Sequence, residues 1–118
     1  MIDIIKNKAI SKLNNKKALV FIARKKWFKP IYVGKTKSFT GYQTIASFQS
    51  LEKEMFVIDM DIYKGSCALI IVQNNSYQMI LNTTSMITKS FILQPGPVRL
   101  RLVGKNANVK YRIDRKIE

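Results

Sequence analysis

Hydrophobic and polar positions change their rhythm along this chain of 118 residues. Ile2, Ile5, Ala9 and Leu13 recur at spacings of three and four, which places them on one face of a short helix with Lys6, Lys8 and Lys12 opposite. Asp3 falls near the positive end of that helix. Asn14-Asn15 reads as its stop, because asparagine tolerates the left-handed conformation that ends many helices. Leu19 to Ala23 predicts a short buried strand, and Ile31 to Val33 a second one closed by Gly34.

Farther along, the period becomes two. Phe56, Ile58, Met60 and Ile62 alternate with Val57, Asp59, Asp61 and Tyr63, which predicts a strand over 54–63 with one face buried and one largely wet. Lys64-Gly65-Ser66 reads as a turn. Cys67 to Gln73 is a continuous apolar run short enough for a strand buried on both faces. Asn74-Asn75-Ser76 is a turn signal before a strand over Tyr77 to Leu81, and Ile87 to Leu93 follows. Gln94-Pro95-Gly96-Pro97 is a breaker that no central strand should contain. Val98, Leu100 and Leu102 then alternate with Arg99 and Arg101. After Gly104-Lys105-Asn106-Ala107-Asn108, read as a turn, Val109, Tyr111 and Ile113 alternate with Lys110 and Arg112. Short strands about every 8 to 12 residues predict a mainly β domain, a single antiparallel β-sandwich with a short basic N-terminal helix.

The segment Phe91-Ile92-Leu93-Gln94-Pro95-Gly96-Pro97-Val98-Arg99-Leu100-Arg101-Leu102-Val103-Gly104 resembles the penultimate hairpin of small jelly-roll or carbohydrate-binding-module-like sandwiches of bacterial proteins. The resemblance extends over roughly residues 54–113 and implies a sandwich fold. It carries no functional residue across, and the chain lacks the cleft of Trp and Tyr side chains that sugar-binding sandwiches display.

Charge divides the chain. Up to Lys37 there are 11 basic residues against Asp3 alone, and from Ser38 onward 10 basic residues face six acids, for a net charge of +14. Residues 1–37 therefore form a basic leader packed on a body spanning 38–118, within one domain. The absence of histidine excludes Ser-His-Asp hydrolysis, Cys-His nucleophiles and histidine-based zinc sites. Cys67 is the sole cysteine, cannot form an internal disulfide and has no histidine to activate it. No apolar stretch approaches the roughly 18 residues of a bilayer crossing. The apolar run Ala18 to Ala23 is shorter than the usual signal-peptide core. Cytoplasmic location is the default expectation and the cell envelope its alternative.

Enzymatic patterns fail individually. Gly34-Lys35-Thr36 copies the tail of a phosphate-binding loop, but the required upstream glycine is Lys29. Asp59 and Asp61 share a strand face about 7 Å apart, without an apolar pocket to set up acid and base roles. Asn74-Asn75-Ser76 and Asn82-Thr83-Thr84 fit the glycosylation pattern, which has meaning only on secretion. No catalytic residue, metal or cofactor is expected.

Alternation in the last two predicted strands puts Arg99, Arg101, Lys110 and Arg112 on the face opposite the core. Two readings stand: a solvated face neutralised in part by Asp59 and Asp61, or a docking surface for a polyanion. Arg24, Lys25, Lys26 and Lys29 surround Trp27 and Phe28, with Tyr32 close by. Such a stretch combines cations for phosphates with rings for bases, so Trp27 and Tyr32 are candidate stacking residues. Otherwise Trp27 and Phe28 anchor the leader. The leader helix either packs on the body or lies on an anionic membrane. The expected function is a non-catalytic, salt-sensitive binding module for an anionic polymer, nucleic acid first. The alternatives are an envelope module for anionic glycan or lipid head groups, or a structural domain that meets a protein partner or a second copy through a sheet edge.

Overall fold

The computed structural model describes residues 2–116 apart from Phe28 and Glu52. Its elements are α1 (Lys6–Ile10), β1 (Asn15–Lys17), β2 (Val20–Lys25), β3 (Ile31–Ser50), β4 (Lys53–Gln73), β5 (Ser76–Leu81), β6 (Ser85–Ile92) and β7 (Gly96–Lys116). The mainly β, antiparallel class is as expected, but the strands form one seven-stranded sheet. β7 is central, flanked by β3 and β4; β1 and β2 lie in succession along the far edge of β3, and β5 and β6 in succession along β4.

Three strands exceed expectation in length: two predicted turns are bends inside β4 and β7, and β3 runs on through Gly34. Lys64-Gly65-Ser66 continues β4, with register shifts between Ile62 and Lys64 and between Lys64 and Ser66. Directly across, Lys105 to Asn108 continues β7, where Asn106 has φ 49°. β3 shifts register at the same level, between Thr36 and Gly41, with Ser38 at φ 52° and Gly41 at φ 122°. Gly34 therefore closes no strand; β3 runs through it. Extra residues at positive φ kink a strand without breaking its ladder, and three kinks side by side bend the whole sheet.

The bend creates two limbs facing each other. The upper limb holds β1, β5 and the adjoining halves of β3, β4 and β7; the lower limb holds β2, β6 and the other halves. One buried cluster joins both: Ile45, Leu69, Leu100 and Leu102 from the upper limb meet Phe56, Ile58, Val109 and Ile113 from the lower. The Phe48 and Phe56 rings lie 5.9 Å apart across the gap. At its open end, Arg115 of the lower limb pairs with Glu54 and donates to the Gln49 carbonyl of the upper, while Ser50 donates to Glu54. Pro97 falls in the first residues of β7, where proline is tolerated even in a central strand.

Cys67 to Val72 is buried on both faces, as the continuous apolar run predicts. Cys67, Leu69 and Ile71 enter the main core, whereas Ala68, Ile70 and Val72 join Tyr42 and Val103 in a second cluster on the outside of the upper limb. The leader covers that cluster with Ile2, Ile4, Ala9 and Ile10. The helix itself is shorter than the spacing predicts: Ile5 and Leu13 are exposed, and Asn15 begins β1 instead of merely ending α1. Its five residues have no side-chain cap and no acid in the first turn, so packing and not propensity holds them. β2 is likewise no buried strand but an exposed edge. The division between 37 and 38 falls inside β3, which makes leader and body parts of one sheet.

Gly65 is a tightly constrained point of the bend on β4. It has φ +74°, and a Cβ there would lie 2.2 Å from the Asn106 carbonyl oxygen. Gly96 also has positive φ, but open space surrounds it. Gly65→Ala should cost about 3–4 kcal/mol through clash plus strain, and Gly96→Ala about 1–2 kcal/mol through strain alone. Denaturant midpoints compare the two; equal losses would mean the bend is not held where the backbone contacts place it.

Candidate anion-binding surface

The four cations assigned to one face by alternation are separated by the bend. Val98, Leu100 and Leu102 point into the core, so Arg99 and Arg101 do take the opposite face, but on the upper limb that face lies beneath the leader. Arg99 donates to the carbonyls of Ile10 and Ser11, both at 2.6 Å, and Arg101 donates to the Leu13 carbonyl at 2.9 Å. These carbonyls at and just beyond the end of α1 lack helical partners, and the arginines supply them. Arg101 is 0% exposed and packs 6.0 Å from the Tyr42 ring centroid, and among the described residues its Nε and Nη1 have no hydrogen-bond partner. Burial lowers the pKa of both guanidinium groups, and the nearby Arg99 charge lowers that of Arg101 further. Arg99 and Arg101 are thus structural clamps on the leader and not part of an open anion site.

Lys110 and Arg112 remain exposed on the outside of the lower limb. Their register partners on β4 are Asp61 and Asp59, the two carboxylates expected to face them. Contact is another matter. Arg112 pairs instead with Asp114, two residues along its own strand, at 2.9 Å; this bond raises the Arg112 pKa. On the other side of β7, Lys110 faces Lys35, a like-charged pair of the kind that destabilises a sheet slightly. Arg24, Lys26 and Lys35 join Lys110, Arg112 and the two aspartates around an open depression of about 520 Å³.

A second depression adjoins the first, sharing Arg24, Lys26 and Val33, and adds Lys25 at the end of β2 and Trp27 and Lys29 from the connection between β2 and β3. Trp27 is 81% exposed, so it does not anchor the leader in a core. Tyr32, by contrast, is 4% exposed and belongs to the main cluster; its strand position shares a row with Ile113, which turns it away from any stacking role. Phe28 lies outside the described residues. Between Ile4 and Leu51 the sequence has no acid, and Lys16, Lys17, Arg24, Lys25, Lys26, Lys29, Lys35 and Lys37 are all exposed along this edge and its neighbouring strand. Alternation alone missed Lys35, which the register places beside Lys110.

Nucleophilic chemistry finds no support in Cys67. It is buried, and burial pushes its thiol up to about 12. Among the described residues, no three His, Cys, Asp or Glu side chains come together as a metal site, and no helix is long and apolar enough to cross a membrane. The chain matches no protein-family model and no curated protein.

Two measurements check this placement. With Arg99→Ala and Arg101→Met together, amide protection should fall in residues 2–13 while the strands stay protected, because Met refills the buried volume but cannot hold the leader carbonyls. Unchanged protection would remove the clamp assignment. In alkali, the unfolded chain ionises its thiol near pH 9, whereas the folded thiol stays protonated until about 12. A raised folded pKa adds stability below the unfolded value, and this is lost as pH climbs between the two. The unfolding midpoint should therefore decline from pH 9 to 12, less steeply in Cys67→Ala, and thiol reagents at pH 8 should label only unfolded chains.

Proposed function

We propose that this domain is a non-catalytic binding module for an anionic polymer, nucleic-acid backbone first, engaged through the β2–β3 connection and the outside of the lower limb. One observation carries the reading: an exposed tryptophan set among Arg24, Lys25, Lys26 and Lys29 on an edge without acids. Lysine and arginine gain affinity for phosphates by releasing condensed counterions, and this requires no sequence motif. An exposed indole offers a stacking platform that any base can use. The sole cysteine, reduced and buried, suits a cytoplasmic setting for such a partner.

A second reading has its own support. Leu13 and Leu19 are exposed beside Lys12, Lys16 and Lys17, a mixture that favours contact with anionic lipid head groups at a membrane surface. Vesicles therefore belong in the test.

Trp27 is the only tryptophan, so its fluorescence reports binding directly. Single-stranded DNA and RNA should quench it, with affinity falling steeply as salt rises. Lys25→Glu, Lys26→Glu and Lys29→Glu together should shrink the log–log salt slope on single strands by about 2, at roughly 0.7 per lost phosphate contact. Trp27→Ala, followed by anisotropy of labelled strands, should weaken binding by about 1–3 kcal/mol. Tight binding to anionic vesicles with none to nucleic acid would transfer the proposal to the membrane, and no binding to either at low salt would end both.

A further inference from the structure

Two rows of cross-strand neighbours cross the outside of the lower limb. Arg24, Val33, Arg112 and Asp59 are successive register partners from β2 to β4, and Ile22, Lys35, Lys110 and Asp61 are the next row. Register partners share a sheet face. Each row therefore crosses three strand spacings, about 14 Å, from the basic edge to a carboxylate. A surface shaped only to attract phosphate would gain nothing from acids at its end.

These carboxylates are not consumed by the cations beside them. Arg112 is turned to Asp114, and among the described residues Asp59 and Asp61 make no ion pair or side-chain hydrogen bond. Both are partly exposed. Next to them stands Tyr63, 68% exposed and lining the same depression. The groove thus has an exposed ring at each end, Trp27 and Tyr63, cations along its middle, and hydrogen-bond acceptors at one end only.

A matching ligand carries negative charge, flat rings and N–H donors at separate points along its length. We propose that the groove takes an unpaired nucleic-acid strand, with phosphates on Arg24, Lys35 and Lys110, a base on Tyr63, and the amino group of that base donating to Asp59 or Asp61. This rests on the anionic-polymer reading and narrows it. A duplex keeps its base faces stacked inside, whereas a single strand presents both face and edge. Carboxylates accept from the cytosine amino group, which thymine lacks.

The test compares oligo(dC), oligo(dT) and an abasic oligomer of equal length at one salt concentration. The unaltered protein should bind them in that order of decreasing affinity. Asp59→Thr with Asp61→Thr, threonine being at home in strands, should lose about tenfold on oligo(dC), the scale of one good base contact. The same variant should bind the abasic oligomer more tightly, since its net positive charge has grown; an unchanged far-UV circular dichroism spectrum and a cooperative unfolding transition show that it is folded. Tyr63→Leu should weaken both base-bearing oligomers and leave the abasic one unchanged. If the double variant binds all three more tightly, or the unaltered protein fails to separate oligo(dC) from the abasic oligomer, base reading is overturned while polyanion binding stands. If no oligomer binds, the anionic-polymer reading falls as well.

Discussion

The bend shared by β3, β7 and β4 governs what every other residue can do. Gly65 lies so close to the Asn106 backbone that it has no room for a side chain, and Gly104 gives the Phe39 ring the space its own Cβ would fill. Because the three kinks lie side by side, the sheet turns as a unit and one apolar face closes on itself. That closure settles burial for both limbs: whatever points inward becomes core, and whatever points outward needs solvent or a cover. Among the described residues, only the upper limb has a cover. The leader's isoleucines lie on Ala68, Ile70 and Val72, which leaves the lower limb to present charge.

Two kinds of arginine result from one alternating pattern. Arg99 and Arg101 sit beneath the leader, and, with no acid paired to either among the described residues, they serve its carbonyl groups. A guanidinium suits that task, since its several N–H groups spread one charge over multiple acceptors. Arg24 and Arg112 sit exposed on the lower limb. With most of the +14 charge exposed, the surface repels itself, and a bound polyanion would relieve that repulsion.

Much of this was legible in the sequence. Period-two alternation located both faces of the first half of β4, the two-sided burial of Cys67 to Val72 followed from an unbroken apolar run, and Asn74-Asn75 marked its hairpin, with Asn74 at φ 57°. The failures have a common physical root. Lys64-Gly65-Ser66 and Gly104 to Asn108 carry the residues that both turns and bulges require, because each needs a positive φ; only the partner strand opposite decides between them. Tyr32 and Trp27 looked alike as basic-flanked aromatics. Register separates them, since Tyr32 lies within a paired strand on its core side and Trp27 lies in the connection beyond it. Alternation also identified Arg99 and Arg101 as outward-facing, yet what covers a face depends on a segment almost ninety residues away in the chain.

The same reasoning separates the two ends of the exposed face. Cations at the β2 edge are plentiful and exposed, so any one of them contributes little beyond its share of the field. The aspartates of β4 differ in kind. They oppose the prevailing charge, they stand directly across from cations that turn elsewhere or stay out of contact, and they flank an exposed ring. A carboxylate is a strong acceptor for a neutral N–H donor, a contact that a phosphate cannot supply. Attraction along the groove and selectivity at its end therefore rest on different residues, and a ligand bearing charge alone can satisfy only the first.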